Sequence, residues 1–375
     1  MKSDYSSFSR RKFIRSVAGA GAIIWADPFS LLAGSRLNND PDLMRIVAKT
    51  MGVDAHNHID LPFDFSEFEK NRYNLDLEIR KSGFTAICMT FCVDRPNLSE
   101  KGEAYKRFIL ELDEIDQLLN QLNIDKALSF KDIQNAHKAG RPIIIQSVEG
   151  GHFIEGKLER LEEAYNRGLR HLGLLHDNQS HVPLGDIYTN EPKFGGLTRD
   201  GIAVIKECNR LGILVDLAHC SDEGVMDALE VSSKPMLISH TGLNTQLGKN
   251  QRMAEMMMPR LISKEQAKIF SELGGVIGVW THLADSSLEF ADNLRAMIDI
   301  VGIDHVCIGT DTKMAPPVNV DSHFGKKTNQ SLDDIPEGFF YTVVNAMLQK
   351  GFSEEEILKI GGGNYFRIFN NATDI

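Results

Sequence analysis

The sequence predicts an α/β protein, a (β/α)8 TIM barrel with loop insertions at the C-terminal face of the strands. Two observations lead there. Eight short apolar runs recur along the chain at intervals long enough for a crossover helix. Most of them end in a residue able to bind a metal or move a proton, and in this fold chemistry sits where the strands finish.

Taken in order, Val53 leads into His56 and His58, and residues 84–91 form the second run. Residues 142–148 lead into Glu149, 169–175 into His176, 213–218 into His219 and 235–239 into His240. Residues 275–281 lead into His282 and 305–310 into Asp311. Between them lie helical patterns: a short helix at 38–50, an irregular excursion at 64–81, and a helix at 104–122. The last has Phe108, Leu112, Ile115, Leu119 and Leu122 on one face. Further helices are expected at 158–167, 197–211, 221–231 and 263–273, with Ser221 at an N-cap ahead of Asp222 and Glu223. A final helix at 353–360, followed by Gly361-Gly362-Gly363-Asn364, closes the fold. Segments 178–196 and 313–331 read as loops that follow strand ends, where a barrel carries its substrate-contacting insertions.

With 375 residues, 42% of them hydrophobic, the chain can bury a sizeable core. Its net charge of −11, with no basic stripe beyond residue 15, argues against a nucleic-acid partner. Residues 1–40 read as an export signal and linker, leaving 41–375 as one barrel domain. The stretch Ser9-Arg10-Arg11-Lys12-Phe13-Ile14-Arg15, followed by a mildly apolar Ala/Gly-rich run, resembles a bacterial twin-arginine signal. That run is too short for a stable membrane span, which needs about 20 residues, and a periplasmic location is expected. Cys88, Cys92, Cys208, Cys220 and Cys307 are scattered and odd in number, so they read as small core residues rather than a disulfide framework. No Cys-x-x-Cys pair is present to build a thiolate zinc site.

The sharpest local signal is Val53-Asp54-Ala55-His56-Asn57-His58-Ile59-Asp60. Alternate side chains of a strand share a face, so positions 56, 58 and 60 can aim together into a barrel mouth. Imidazoles at that spacing suit a borderline metal such as Zn2+. Glu149, after an apolar strand, is costly to bury unless paired or metal-bound, and its two oxygens can bridge two cations. A lone histidine at a strand end is usually structural; the joint occurrence of His219 and His240 with this set argues for metal binding. Asp311 is placed to accept a proton from a metal-activated water. His282, His152, His171, His181 and His305 are read as structural.

At these residues the chain resembles the renal (membrane) dipeptidase family, zinc dipeptidases of peptidase family M19, over about residues 50–370. The resemblance is carried by Ser147-Val148-Glu149-Gly150-Gly151-His152, Gly196-Leu197-Thr198, and Glu207-Cys208-Asn209-Arg210-Leu211-Gly212 running on through Asp216-Leu217-Ala218-His219. Ile238-Ser239-His240-Thr241 and Gly362-Gly363-Asn364 carry it further. It implies two Zn2+ ions, other divalent transition metals being possible. A first-strand His pair or His-x-Asp pair binds one ion, Glu149 bridges, and His219 with His240 binds the other. It also implies Asp311 as the acid/base carboxylate, His176 as the contact to the scissile carbonyl, and Arg260 as the holder of the substrate's terminal carboxylate.

Three departures stand out. The first strand offers two registers, so either His56 or Asp60 partners His58. The loop after His176 runs Asp177–His181 instead of an Asn-rich, Trp-containing stretch. Asp311 is followed by Thr312-Lys313, where relatives often place another acid. The expected activity is a metallo-dipeptidase acting through a metal-bridging hydroxide on a small-molecule substrate, a dipeptide or similar; a homo-oligomer is compatible with it. The alternatives are an amidohydrolase acting on N-acyl amino acids or lactones, or a binding relative without turnover.

Overall fold

Ten parallel-paired strands define the architecture in the computed structural model. They are Val53–His58 (β1), Ala86–Cys92 (β2), Asp125–Lys126 (β3), Ile143–Glu149 (β4), Leu169–Gly173 (β5), Leu214–Asp216 (β6), Leu237–Thr241 (β7), Val276–Val279 (β8), Val306–Ile308 (β9) and Thr312–Lys313 (β10). The structure describes residues 40–59, 75–314 and 326–374. The export signal expected at 1–40, save its last residue, lies outside them. So do Asp60, most of the excursion at 64–81 and the middle of the 313–331 loop.

The sheet runs β10-β1-β2-β4-β5-β6-β7-β8-β9, with the two-residue β3 beside β4. β9 and β10 are two halves of one stretch, interrupted at residues 309–311. The first half pairs with β8 and the second with β1, so the barrel closes through a broken eighth strand. Asp311 lies in the break, and its backbone N–H donates to the His56 carbonyl at 3.1 Å. Among the described residues no disulfide is present, and Cys88, Cys208, Cys220 and Cys307 are buried, as expected. No helix among them is long and apolar enough to cross a membrane.

Parallel strands buried on both faces should divide alternate residues between an interior and an outer layer. They do. Val53, Ala55, Ala86, Cys88, Ile143, Ile145, Leu214, Leu237, Val276 and Cys307 form one apolar cluster inside the barrel. Ile87, Met89, Ile144, Val148, Leu172, Val215, Ile238, Ile277 and Ile308 belong to the other, between strands and helices.

The expected helices form as Pro41–Lys49, Glu103–Leu122, Glu159–Asn166, Arg199–Leu211, Asp222–Val231, Lys264–Glu272 and Glu354–Leu358, with Leu75–Ser82 at the end of the excursion. Ser221 caps its helix by accepting from the Gly224 N–H, and Ser263 and Ser353 do the same for theirs. Helices Phe130–Lys138, Gln251–Met257, Ser287–Val301, Phe339–Gln349 and Asn364–Thr373 were not anticipated. The last corrects the expected ending: the glycines of Lys359–Gly363 form a wide π turn that runs straight into Asn364–Thr373. Tyr365, Phe366, Ile368 and Phe369 of that helix join the cluster of inward-facing strand residues, so the C-terminal helix plugs the barrel interior. Phe369→Ala is therefore expected to destabilise the fold by about 3–5 kcal/mol in denaturant unfolding. A change under about 1 kcal/mol would show that the plug contributes little.

Glu114, on the Glu103–Leu122 helix, is buried at 8% exposure, and its Oε2 has no hydrogen-bond partner. Burial, reinforced by the Asp113 charge, pushes its carboxyl from the ordinary 4.5 up to about 7. The folded state then holds a proton that the unfolded chain releases, so stability declines as pH rises from about 4.5 to about 7. Glu114→Gln is expected to remove that decline. Urea unfolding should show the variant gaining on the parent at pH 8 but not at pH 4; an equal difference at both would refute the assignment.

Candidate functional site

The ligand-type side chains reach the barrel mouth because the backbone breaks its own alternation. In β1, Val53 and Asp54 pair with Ala86 and Ile87, whereas Asn57 and His58 pair with Met89 and Thr90. β1 thus advances three residues while β2 advances two. This bulge moves His56 and His58 onto the same inner face as Val53 and Ala55, where strict alternation would put Asn57. β7 repeats the device: Ile238 pairs with Ile277 and Thr241 with Val279, which turns His240 inward. His219 and Asp311 instead sit in the left-handed region at φ 71° and 53°. For a non-glycine residue this is uncommon and strained, and such strain gathers at functional sites.

At the centre lies Glu149, 2% exposed, with neither oxygen meeting a well-directed hydrogen-bond donor. Imidazole nitrogens crowd it. His219 Nε2 is 2.9 Å and His240 Nε2 3.6 Å from Oε1, and His56 Nε2 is 3.5 Å from the same oxygen. His176 Nε2 is 3.1 Å and His58 Nε2 3.8 Å from Oε2. His56 and His58 face one another Nε2 to Nε2 at 3.4 Å, and His219 and His240 at 3.1 Å. Asp311 closes the ring, its Oδ1 3.0 Å from His58 Nε2 and its Oδ2 2.7 Å from His282 Nε2.

Beneath this layer two buried aspartates stitch the site-bearing strands in pairs. Asp54 accepts from the Thr310 N–H at 2.8 Å and the Thr310 hydroxyl at 2.7 Å, tying the start of the first strand to the residue before Asp311. Asp216 accepts from the Ala218 N–H at 3.0 Å and the Ser239 N–H at 2.9 Å, tying the turn that carries His219 to the one that carries His240. The Ser239 hydroxyl lies 2.9 Å from His240 Nδ1 and 3.3 Å from His56 Nδ1. A hydroxyl oxygen has two lone pairs, so it can accept from both Nδ1–H groups and leave both Nε2 atoms for the site.

An outer ring fixes the remaining histidines. His176 Nδ1–H donates to Asp94 at 2.6 Å, while the Asn178 N–H and side-chain amide hold the other Asp94 oxygen. His219 Nδ1 lies 3.1 Å from Asp177 Oδ1 and 3.0 Å from the Tyr188 hydroxyl. Arg260 donates to that hydroxyl at 3.2 Å and stands 3.3 Å from Asp177, which Arg95 also holds.

The charges are mutually supporting. Burial alone would raise the Glu149 carboxyl, but the attraction of His176, His56 and His219 outweighs it and holds it well below the carboxylate range. The same contest, won by His240, His282 and His58, depresses Asp311. Burial would lower His219, yet Glu149 and Asp177 lift it to about 9. Burial, with His240 next, drives His56 down. This donor set of imidazoles around shared carboxylates is the kind that holds divalent transition metals. Four groupings lie within metal-ligand reach here: His56 with Glu149 and His240; His56 with His58 and Asp311; Glu149 with His176 and His219; and, to one side, His176 with Cys92 and Asp94.

Of the residues singled out from sequence, His56, His58, Glu149, His176, His219, His240 and Asp311 converge, and Arg260 lies at the edge beside Asp177. Asp60 lies outside the described residues. Sequence reasoning missed Asp94 and Tyr188 and read His282 as structural; His282 instead faces Asp311. The signal for Asp94 was available, since it lies two residues beyond β2, at a strand end like the others. His171 packs in the stitching layer against Asp216 at 3.2 Å, and His305 bonds the Gly275 carbonyl, which are structural positions as expected.

A family model described as membrane dipeptidase (peptidase family M19) matches residues 42–375, nearly the whole chain. The chain belongs to that family. Dipeptidase verJ of Clonostachys rogersoniana is 25% identical to it over 281 residues, covering 73% of this chain and 67% of that protein. Dipeptidase tcpJ of Claviceps purpurea is 27% identical over 258 residues, covering 67% of this chain and 56% of that one. The chain therefore spans between 56% and 67% of the length of these fungal relatives. Among solved structures, the probable dipeptidase PvdM from Pseudomonas aeruginosa superposes with a TM-score of 0.73 at 16% identity, covering 89% of this chain and 98% of that one. A metallopeptidase from Rhodobacter sphaeroides, liganded with a phosphinate mimic of the dipeptide L-Ala-D-Ala, gives 0.66 at 20%, covering 86% and 100%. At those identities the likeness is one of fold, the barrel of this family.

Ser239→Ala is expected to weaken divalent-ion affinity about tenfold or more while the fold persists, because partners that orient a metal-binding imidazole typically matter by that much. Competition titration with a chelating dye reads this directly. Unchanged affinity with native circular dichroism would remove Ser239 from its orienting role.

Proposed function

We propose that this member of the membrane dipeptidase family is a binuclear, zinc-dependent dipeptidase. The observation that carries the reading is Glu149: a carboxylate shielded from water, with no directed donor, flanked by two histidine pairs. The Nε2 atoms of His56 and His58 lie 3.4 Å apart and those of His219 and His240 3.1 Å apart, so each pair could serve one shared ion. His56 and His58 would hold one ion and His219 and His240 the other, with Glu149 shared between them. When bound, such a pair supplies an activated water and a Lewis acid at neutral pH.

The chain's own residues do the rest. Asp311 takes the proton from the nucleophilic water and returns it to the leaving amine nitrogen, while His282 fixes the orientation of its carboxylate. His176, held by Asp94 through Nδ1, presents its Nε2 edge to the scissile carbonyl and positions it. Arg260 takes the substrate's free carboxylate, which limits substrates to very short peptides. The relatives named as dipeptidases and the neighbour bound to a dipeptide mimic support this choice over acyl-amino-acid or lactone hydrolysis. The motif at residues 9–15 supports export to the periplasm by the twin-arginine route.

Elemental analysis should find two zinc ions per chain, and a dipeptide panel should be turned over by metal-replete protein, lost on chelation and regained with zinc. Turnover of N-acyl amino acids or lactones without any dipeptide would refute the reading. Asp311→Asn is expected to keep its metal and lose activity by about 100-fold or more. If that variant loses zinc instead, Asp311 is a ligand and its assigned role is wrong.

A further inference from the structure

Asp177 stands where two guanidinium groups meet. Arg95, from the loop after β2, bonds its Oδ2; Arg260 approaches at 3.3 Å and 3.4 Å; and His219 Nδ1 lies 3.1 Å from Oδ1. The side chain is 16% exposed, whereas Arg95 is 54% exposed. Two guanidinium charges therefore share the Asp177 charge, and with His219 neutral as a metal ligand one positive charge is left over at this corner. That matches one incoming carboxylate. A second would meet the Asp177 charge with no cation left to offset it.

We propose that Asp177 is a specificity-determining residue: it sets the charge of the carboxylate-binding corner so that dipeptides with a neutral C-terminal residue are preferred over those ending in Asp or Glu. The inference rests on the dipeptidase reading and on Arg260 as the carboxylate receptor. Orienting His219 alone would be a different role, and the two are separable because Asn at position 177 keeps an oxygen beside His219 Nδ1 while removing the charge.

The test compares metal-replete full-length protein and its Asp177→Asn variant on two dipeptides that differ only in a C-terminal Ala or Asp. The ratio of kcat/KM, Ala over Asp, is expected to fall about tenfold or more in the variant, mainly through KM, as one partly shielded unit charge at contact distance requires. Asp177→Glu should restore the parental preference, with zinc content equal in all three proteins. An equal fall for both peptides, carried by kcat or by zinc loss, would overturn the proposal and leave Asp177 a buttress of His219. If the parent cleaves neither peptide, the dipeptidase reading fails, and calorimetry with N-acetyl-alanine and N-acetyl-aspartate still reads the corner. Asp177→Asn must then tighten the dianion relative to the monoanion by a similar factor, and no relative change overturns the proposal.

Discussion

Glu149 ends a strand buried along its whole length, and its charge sits where water scarcely reaches. An isolated carboxylate there would cost several kcal/mol and would take up a proton instead. Five imidazole nitrogens, from His56, His58, His176, His219 and His240, stand within 3.8 Å and reverse that tendency. Those residues come from four further strands, so satisfying one charge obliges five strands to finish at the same level. The site and the barrel's closure are one constraint seen from two sides.

How the chain meets that constraint is layered along the barrel. At the bottom, Tyr365, Phe366 and Phe369 fill the interior against small and branched strand residues. Above them, Asp54 and Asp216 bind backbone N–H groups of neighbouring strands and fix the spacing between tips. The histidine nitrogens come last. Each layer locates the next, so the imidazoles are positioned by backbone geometry more than by contact with each other.

The strand ends were legible in the sequence because each buried apolar run stops at a polar residue that needs a partner. His56, Glu149, His219, His240 and Asp311 all announced themselves that way. The bulges did not. Alternation read from β1 groups His56 with His58, but not with Val53 and Ala55 on the same face; an extra residue in one strand leaves no mark in composition. His282 was read as structural although its run ends in a polar residue like the others, and its meaning depends on Asp311, 29 residues away. Asp177 became meaningful only when loops distant in sequence brought Arg95 and Arg260 beside it. The C-terminal helix was hidden by three glycines, which ordinarily end helices and here make a wide turn within one.

The broken eighth strand has a consequence for how the molecule comes into being. During synthesis, β1 leaves the ribosome long before the stretch holding Asp311, yet the two must become neighbours. Such distant pairing makes ring closure a slow, late event, and every shorter nascent chain exposes an open sheet edge. A chain whose two ends have not met therefore has neither Asp311 in place beside His58 nor a closed sheet edge.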